Sequence, residues 1–540
     1  MINFKKYINS IVISLENWCN SGFQHFYFLL AVAILTQTII FLGTTIMVFS
    51  DSGTYVVAAV RIKDFFDFSS LSINRTPGYP LLLVGLLKIF PENFTFALRF
   101  TQHLMAVIII LMVYFISFLL FKDRLKSLLC GLLSCFSLQI WSYANYVMTE
   151  LFYSFILAFI IYFYMQYAET KKYKFLLFSF VFTGFATNIR PIAQLLVVFL
   201  CVLFTIFLLN KKNANKLKST FLFLIGAVFY LSSILPWMIY NSKHNGFFAM
   251  TKCVGLNLYS RVVEYEKIVD YDSVYIKDIK ESFERNIAFR KEKEGLEQRK
   301  SWKYYDYYFG PDAWKRHIPA FCSYFQDKKI KLAADVDDVL LRASLDCIKK
   351  YPFEYFKNTF RYVVLMQLVV EPTVLYIPGL RSYNTGKYPY KGLLDAEKAH
   401  RDVLDVWVHD PTKRYVKFNA KPNIFTKIYA YIASTYYYFI MSDNKKILFF
   451  LFLIIGFCVS IINIFKSPNK LVWFIFSGII IYNLIIPMLF VPGTYRMRIP
   501  IDPFMVIFYF LGFLTLIRLI NFSIDKFITF YYCNKIKIKT

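Results

Sequence analysis

Charge is scarce in this sequence. Only 18% of its 540 residues are Asp, Glu, Lys or Arg, against about a quarter in a soluble domain. With 57% apolar and 20% aromatic residues, that shortage excludes an ordinary soluble enzyme and a disordered chain. The nine cysteines are scattered and form no C-x-x-C, which excludes a secreted disulfide scaffold. Cys253, Cys322 and Cys347 share one stretch and allow at most one bridge there. The histidines show no metal-ligand spacing; His244, His317, His400 and His409 each stand alone. No repeat, low-complexity tract or Gly/Ser linker is visible. Acids are scarcest, 35 against 62 basic residues, for a net charge of +27. A basic balance is also the footprint of a nucleic-acid binder, so the position of the charge must decide.

Long apolar runs are what the sequence has instead. A spanning helix needs about 20 apolar residues. No formal charge lies between Glu16 and Asp51. Further apolar runs cover 100–121, 127–149, 151–168, 175–189, 191–210, 219–241, 447–465, 471–495 and 503–517. The chain therefore reads as an α-helical polytopic membrane protein with about ten spans. The first run is too long for a signal-peptide core and reads as a retained helix.

Short basic clusters set the expected orientation. They lie at Lys5–Lys6, Lys122–Lys126, Lys171–Lys174, Lys211–Lys218, Lys466–Lys470 and Lys526–Lys539. The positive-inside rule assigns all six, and with them both termini, to the cytoplasm. Each interval then holds an even number of spans, giving five hairpins with tips on the far side. The hairpin at 175–210 must turn near Arg190-Pro191, which leaves Arg190 slightly recessed.

Three regions follow. Residues 1–241 form a first transmembrane module of about seven spans, with a first outer loop at 49–98. Residues 242–446 form an outer soluble domain, because 25 of the 35 acids and 34 of the 62 basic residues fall between 241 and 445. It reads as mainly helical, with helices at 333–350 and 353–370 separated by Pro352. Residues 424–441 are rich in tyrosine and read as a helix lying at the outer interface. The competing reading is an eleventh span, which would put Lys466–Lys470 and the tail outside. Residues 447–540 hold the last spans and the basic tail.

Ionisable groups at membrane depth are costly and suggest function. Here they gather at outer hairpin tips. Asp51 opens D-S-G-T-Y, either as a helix N-cap or as a carboxylate at a site rim, with Tyr55 one turn later on the same face. R-T-P-G-Y-P runs from Arg75 to Pro80 and contains Tyr79. Pro77 and Pro80 stiffen it, and Gly78 permits a close backbone approach; a plain interfacial turn is the simpler reading. Glu150 starts a helix whose N-terminus favours its charge, or it supplies a second carboxylate. Arg190, Arg496 and Arg498 offer guanidinium forks that match phosphate oxygens, or serve as interfacial anchors.

In their order these residues resemble the membrane-embedded GT-C glycosyltransferases. The resemblance is to the branch with protein O-mannosyltransferases and the lipid A aminoarabinose transferase. It rests on D-S-G-T-Y (51–55), RTPGYPLLL (75–83), A-L-R-F-T-Q (97–102), M-T-E (148–150) and N-I-R-P (188–191). P-W-M-I-Y-N (236–241), I-K-K-Y-P-F-E-Y (348–355) and Y-R-M-R-I-P-I-D-P (495–503) complete it. It covers residues 25–240 well and is thin from 241 to 480. It implies a GT-C-type bundle with a mainly helical extracytoplasmic domain, in a bacterial inner membrane. The implied reaction moves a sugar from a polyprenyl-phosphate donor to an acceptor glycan, lipid or protein on the outer face, with inversion. Asp51 matches the family's catalytic acid and would act as general base; Glu150 matches the acid heading helix 4. Many members carry a second acid beside the first, where this chain has Ser52.

Tyr55, Arg75, Tyr79, Arg190, Arg496 and Arg498 are the residues expected against substrate. A leaving phosphate is already stable as an anion and needs positioned cations rather than an acid. No metal or cofactor is expected on that ground, and no nucleic acid. The rival readings are an O-antigen ligase or polymerase, and a lipid-linked glycan flippase. The acid in the first loop speaks against the ligase. The absence of two visible halves, with ionisable residues at one rim, speaks against the flippase.

Overall fold

The computed structural model describes residues 2–48, 51–71, 74–209, 216–281, 333–368, 423–441, 443–491 and 497–537. Among these residues the chain is helical, and one isolated parallel bridge joins Met47 to Tyr146. A separate amphipathic helix, α1 (Ile2–Asn20), carries Lys5, Lys6 and Glu16 and overlaps only the start of the charge-free run; a break at Ser21–Phe23 precedes α2 (Gln24–Gly43). Next come α3 (Ser52–Phe65), α4 (Gly78–Ile89) and α5 (Phe94–Phe121). They are followed by α6 (Arg124–Cys135), α7 (Leu138–Ser142), α8 (Thr149–Thr170) and α9 (Tyr173–Ile189). Then α10 (Leu196–Leu209) and α11 (Lys216–Asn245) close the first region.

The middle region contributes α12 (Val254–Tyr259), α13 (Ala333–Lys350) and α14 (Pro352–Leu368). Pro352 divides the last two, as the sequence predicts, because proline is tolerated at the start of a helix and not inside one. The chain ends with α15 (Ile424–Met441), α16 (Asp443–Lys466), α17 (Lys470–Phe490) and α18 (Asp502–Lys537).

Seven of these segments are long and apolar enough to cross a membrane, so the chain is an integral membrane protein. They are Gln24–Gly43, Phe94–Phe121, Thr149–Thr170, Thr220–Asn245, Ile447–Lys466, Lys470–Phe490 and Ile499–Phe522. An eighth arises if α6 and the 138–145 segment count as one span bent by 48°. The expected ten is not reached by this measure, because the 175–210 hairpin yields two shorter helices of 17 and 14 residues. The bend interrupts a continuous apolar run. Trp141 repairs part of it by donating its indole N–H to the Ser134 carbonyl at 2.8 Å. Two basic clusters coincide with helix ends: α5 and α8 each stop on a lysine in the left-handed conformation, Lys122 (φ 54°) and Lys171 (φ 56°).

The main core is built from large side chains with almost no exposure, among them Trp141, Tyr143, Tyr153, Tyr164, Phe180 and Phe504. A second, smaller core joins α12, α13 and α14 through Leu258, Val262, Val336, Leu340, Ala343 and Tyr355. One buried ion pair ties this second core to the end of α17. Arg261, in a π-helical turn at Ser260–Tyr265, is fully buried and donates from Nε to Glu266 Oε1 at 2.7 Å. It also donates to Thr359 Oγ1 at 2.6 Å and to the Met488 carbonyl. Its guanidinium lies 4.4 Å from the Tyr355 ring centre. Tyr355 in turn donates its hydroxyl to the Leu489 carbonyl. The last carbonyls of α17 are orphans by helix geometry, and the middle region supplies donors to two of them, Met488 and Leu489.

Candidate active site

Asp51 stands at the N-cap position of α3, but its carboxylate makes no capping hydrogen bond. It turns instead to Arg75, whose Nη2 donates to Asp51 Oδ1 at 2.7 Å. Arg75 Nη1 donates to the Tyr55 hydroxyl at 3.1 Å, and the guanidinium sits 5.0 Å from the Tyr55 ring centre. Tyr55 meets Tyr79 edge to face, at 5.3 Å between ring centres. Tyr79 is buried and donates its hydroxyl to Gln102 Oε1 at 3.2 Å. Four of the expected residues thus form one chain of contacts. Ser52, beside Asp51, is buried with its hydroxyl 3.6 Å from the Met148 sulfur.

A second group lies at the head of α8. The Glu150 side chain is fully buried, and Arg190 Nη2 stands 3.9 Å from its Oε1. Arg190 also lies 5.7 Å from the Tyr153 ring centre and 3.8 Å from the Met497 sulfur. Beyond Met497, Arg498 pairs with Asp502 through Nε at 2.7 Å and donates from Nη2 to Gln139 Oε1 at 2.7 Å. Arg496 lies outside the described residues. The two carboxylates therefore differ: Glu150 is sealed from solvent, whereas the Asp51 and Arg75 side chains each keep 19% of their surface exposed. Asp51 is thus reachable from solvent, and Glu150 faces Arg190 from a buried position.

Gly78 explains how the two groups meet. A Cβ at this position would collide with the Asn188 carbonyl oxygen. The RTPGYP segment therefore lies directly on the backbone of N-I-R-P, and Thr76 Oγ1 donates to the Ile189 carbonyl at 3.2 Å. Gly78→Ala is expected to push the Asn188–Arg190 segment away from Arg75. A displacement of about 1 Å at a reacting centre costs up to about 10²-fold in rate. Activity of Gly78→Ala, measured on folded protein, is expected to fall at least about tenfold on that basis; unchanged activity would show that this contact does not set the site.

The support beneath both groups comes from A-L-R-F-T-Q, to which the sequence assigned no role, and from His103. Arg99, Gln102 and His103 share one face of α5, at i, i+3 and i+4. Arg99 Nε donates to Asn145 Oδ1 at 2.9 Å, and Arg99 Nη2 to the Thr44 carbonyl at 2.8 Å. His103 contacts Gln37 Oε1 at 2.8 Å and Asn145 Oδ1 at 3.3 Å. The signal was present, since three polar residues at that spacing interrupt an otherwise apolar helix. Near the other end of α5 a cavity of about 410 Å³ is lined by Glu16, Asn20, Phe118 and Lys122–Leu125. Of its charged side chains, Lys122 pairs with Glu169 and Asp123 with Lys126, and none of the site residues lines it.

Residues 74–240 match the family described as dolichyl-phosphate-mannose-protein mannosyltransferase. The matched segment, which carries Arg75, Tyr79, Glu150 and Arg190, is similar to that family. Among solved structures, the apo oligosaccharyltransferase of Archaeoglobus fulgidus is similar over 93% of this chain and 52% of its own, at 11% identity and a TM-score of 0.45. ArnT from Cupriavidus metallidurans bound to undecaprenyl phosphate is similar over 91% of this chain and 78% of its own, at 11% identity and a TM-score of 0.35. The chain thus spans about half the length of the Archaeoglobus protein. No curated protein matches the chain by sequence.

Proposed function

We propose that the chain is an inverting glycosyltransferase that moves a sugar from a polyprenyl-phosphate donor to a cell-envelope acceptor. The observation that carries this reading is the Asp51–Arg75 pair, a partly exposed carboxylate held against a guanidinium. In the proposed reaction the lipid phosphate binds Arg75, which draws the guanidinium away from Asp51. The freed carboxylate takes the proton of the acceptor hydroxyl as its oxygen attacks the anomeric carbon. The bond from that carbon to the phosphate oxygen breaks on the opposite face, and the polyprenyl phosphate leaves with the electron pair. Arg75 and Arg190 stabilise the charge that grows on it. Glu150 holds Arg190 in place, and Arg498 anchors the head of α18 through Asp502. No metal or cofactor enters this scheme.

On this reading the site opens on the outer face of a bacterial inner membrane, an orientation that the distribution of lysines supports. The acceptor, whether glycan, lipid or protein, would meet the site from the 242–446 side. The test is transfer by purified protein, offered a panel of polyprenyl-phosphate sugars and an envelope extract from a strain lacking the gene. Sugar should pass to one extract component, and polyprenyl phosphate should appear in equal amount. Sugar transfer that requires polyprenyl diphosphate donors would instead identify a ligase or polymerase.

A further inference from the structure

We propose that Gln102 is a positioning residue that holds the Asp51 half and the Glu150 half of the site in one register. The inference rests on the transferase reading for its kinetic consequences and on geometry alone for its structural ones. Gln102 is fully buried. Its amide donates to two carbonyls of one segment, Ala144 at 2.9 Å and Tyr146 at 3.0 Å. Its carbonyl accepts the Tyr79 hydroxyl. One side chain thus binds RTPGYP on one side and the approach to M-T-E on the other.

The 144–147 segment is itself paired with the approach to Asp51. Met47 N donates to the Asn145 carbonyl at 2.8 Å, and Val147 N donates to the Met47 carbonyl at 3.1 Å. Asp51 lies four residues after Met47, and Glu150 four residues after Tyr146. A shift of the 144–147 segment therefore moves both acids at once. Arg99 and His103 hold the same segment through the Asn145 side chain. Gln102 alone of the three also reaches Tyr79, and through the Tyr79–Tyr55 ring contact it reaches Arg75.

A leucine at this position fills similar space but leaves two carbonyls and a phenol without their partner, and buried polar groups resist that. The segment then opens rather than stays. In Gln102→Leu, backbone amide exchange at 144–147 and at Met47 is expected to accelerate together by about tenfold or more. Donor KM should stay within about threefold, because Arg75 and Arg190 remain, while kcat falls about 10–10²-fold from misalignment. Tyr79→Phe removes one of the three bonds and keeps the ring. Its effect on kcat should be smaller, and the double variant should lose less than the product of the two single losses. Unchanged amide exchange in Gln102→Leu would overturn the proposal whatever the substrate. So would a kcat loss that only tracks loss of folded protein, or effects of the two variants that multiply. Failure of the wild-type chain to transfer sugar, with the exchange result intact, would sink the transferase reading and leave the geometric role standing.

Discussion

Asp51→Asn is expected to lower sugar transfer by about 10²–10⁴-fold, the usual share of a positioned general base. The substitution keeps size and hydrogen-bonding shape but removes the group proposed to accept the proton. It also removes the negative partner of Arg75, so the guanidinium is no longer shared. Donor binding should therefore hold or tighten while kcat collapses. That combination separates a base from a residue that merely binds substrate, whose loss would raise KM. The measurement is initial rate against donor concentration in folded wild-type and Asp51→Asn protein. Near-normal kcat in the variant would remove Asp51 from the chemistry.

Arg261→Ala is expected to cost about 3–5 kcal/mol, because it leaves Glu266 as a buried charge without its partner. The carboxylate is only 1% exposed, so water cannot take over. The loss should spread beyond the pair. Arg261 and Tyr355 donate to the Met488 and Leu489 carbonyls, and the chain after α17 leads to Met497 and Arg498. The variant should therefore show a lower unfolding midpoint in detergent together with weaker transfer. Arg261→Met combined with Glu266→Leu, which removes both charges, should recover much of the stability. A single variant that unfolds where the wild type does would contradict the geometry.

Much of the scaffold was legible because it follows from apolar run length and proline position. α13 and α14 fall where the helical spacing and Pro352 put them. The helix break at Arg190-Pro191 falls where a run too long for one span had to be interrupted. The bend at Phe136–Ser137 was not legible, since hydropathy does not register a break inside an apolar stretch.

In the site, the residue types were legible and their pairings were not. Asp51 and Arg75 are 24 residues apart, and Glu150 and Arg190 are 40 apart; only tertiary packing brings each pair together. The difference between an open Asp51 and a sealed Glu150 is likewise a property of burial rather than of sequence. Arg261 and Glu266 sit in a charge-rich stretch that reads as solvated surface, yet both are buried.

The central claim is that a lipid phosphate binds at Arg75 and Arg190, beside Asp51. Native mass spectrometry of the purified chain with undecaprenyl phosphate tests it directly. The account predicts one saturable lipid on the wild-type protein, with affinity reduced about tenfold or more in Arg75→Gln and in Arg190→Gln, since each removes a charge-assisted phosphate contact. Equal binding by all three proteins would contradict it.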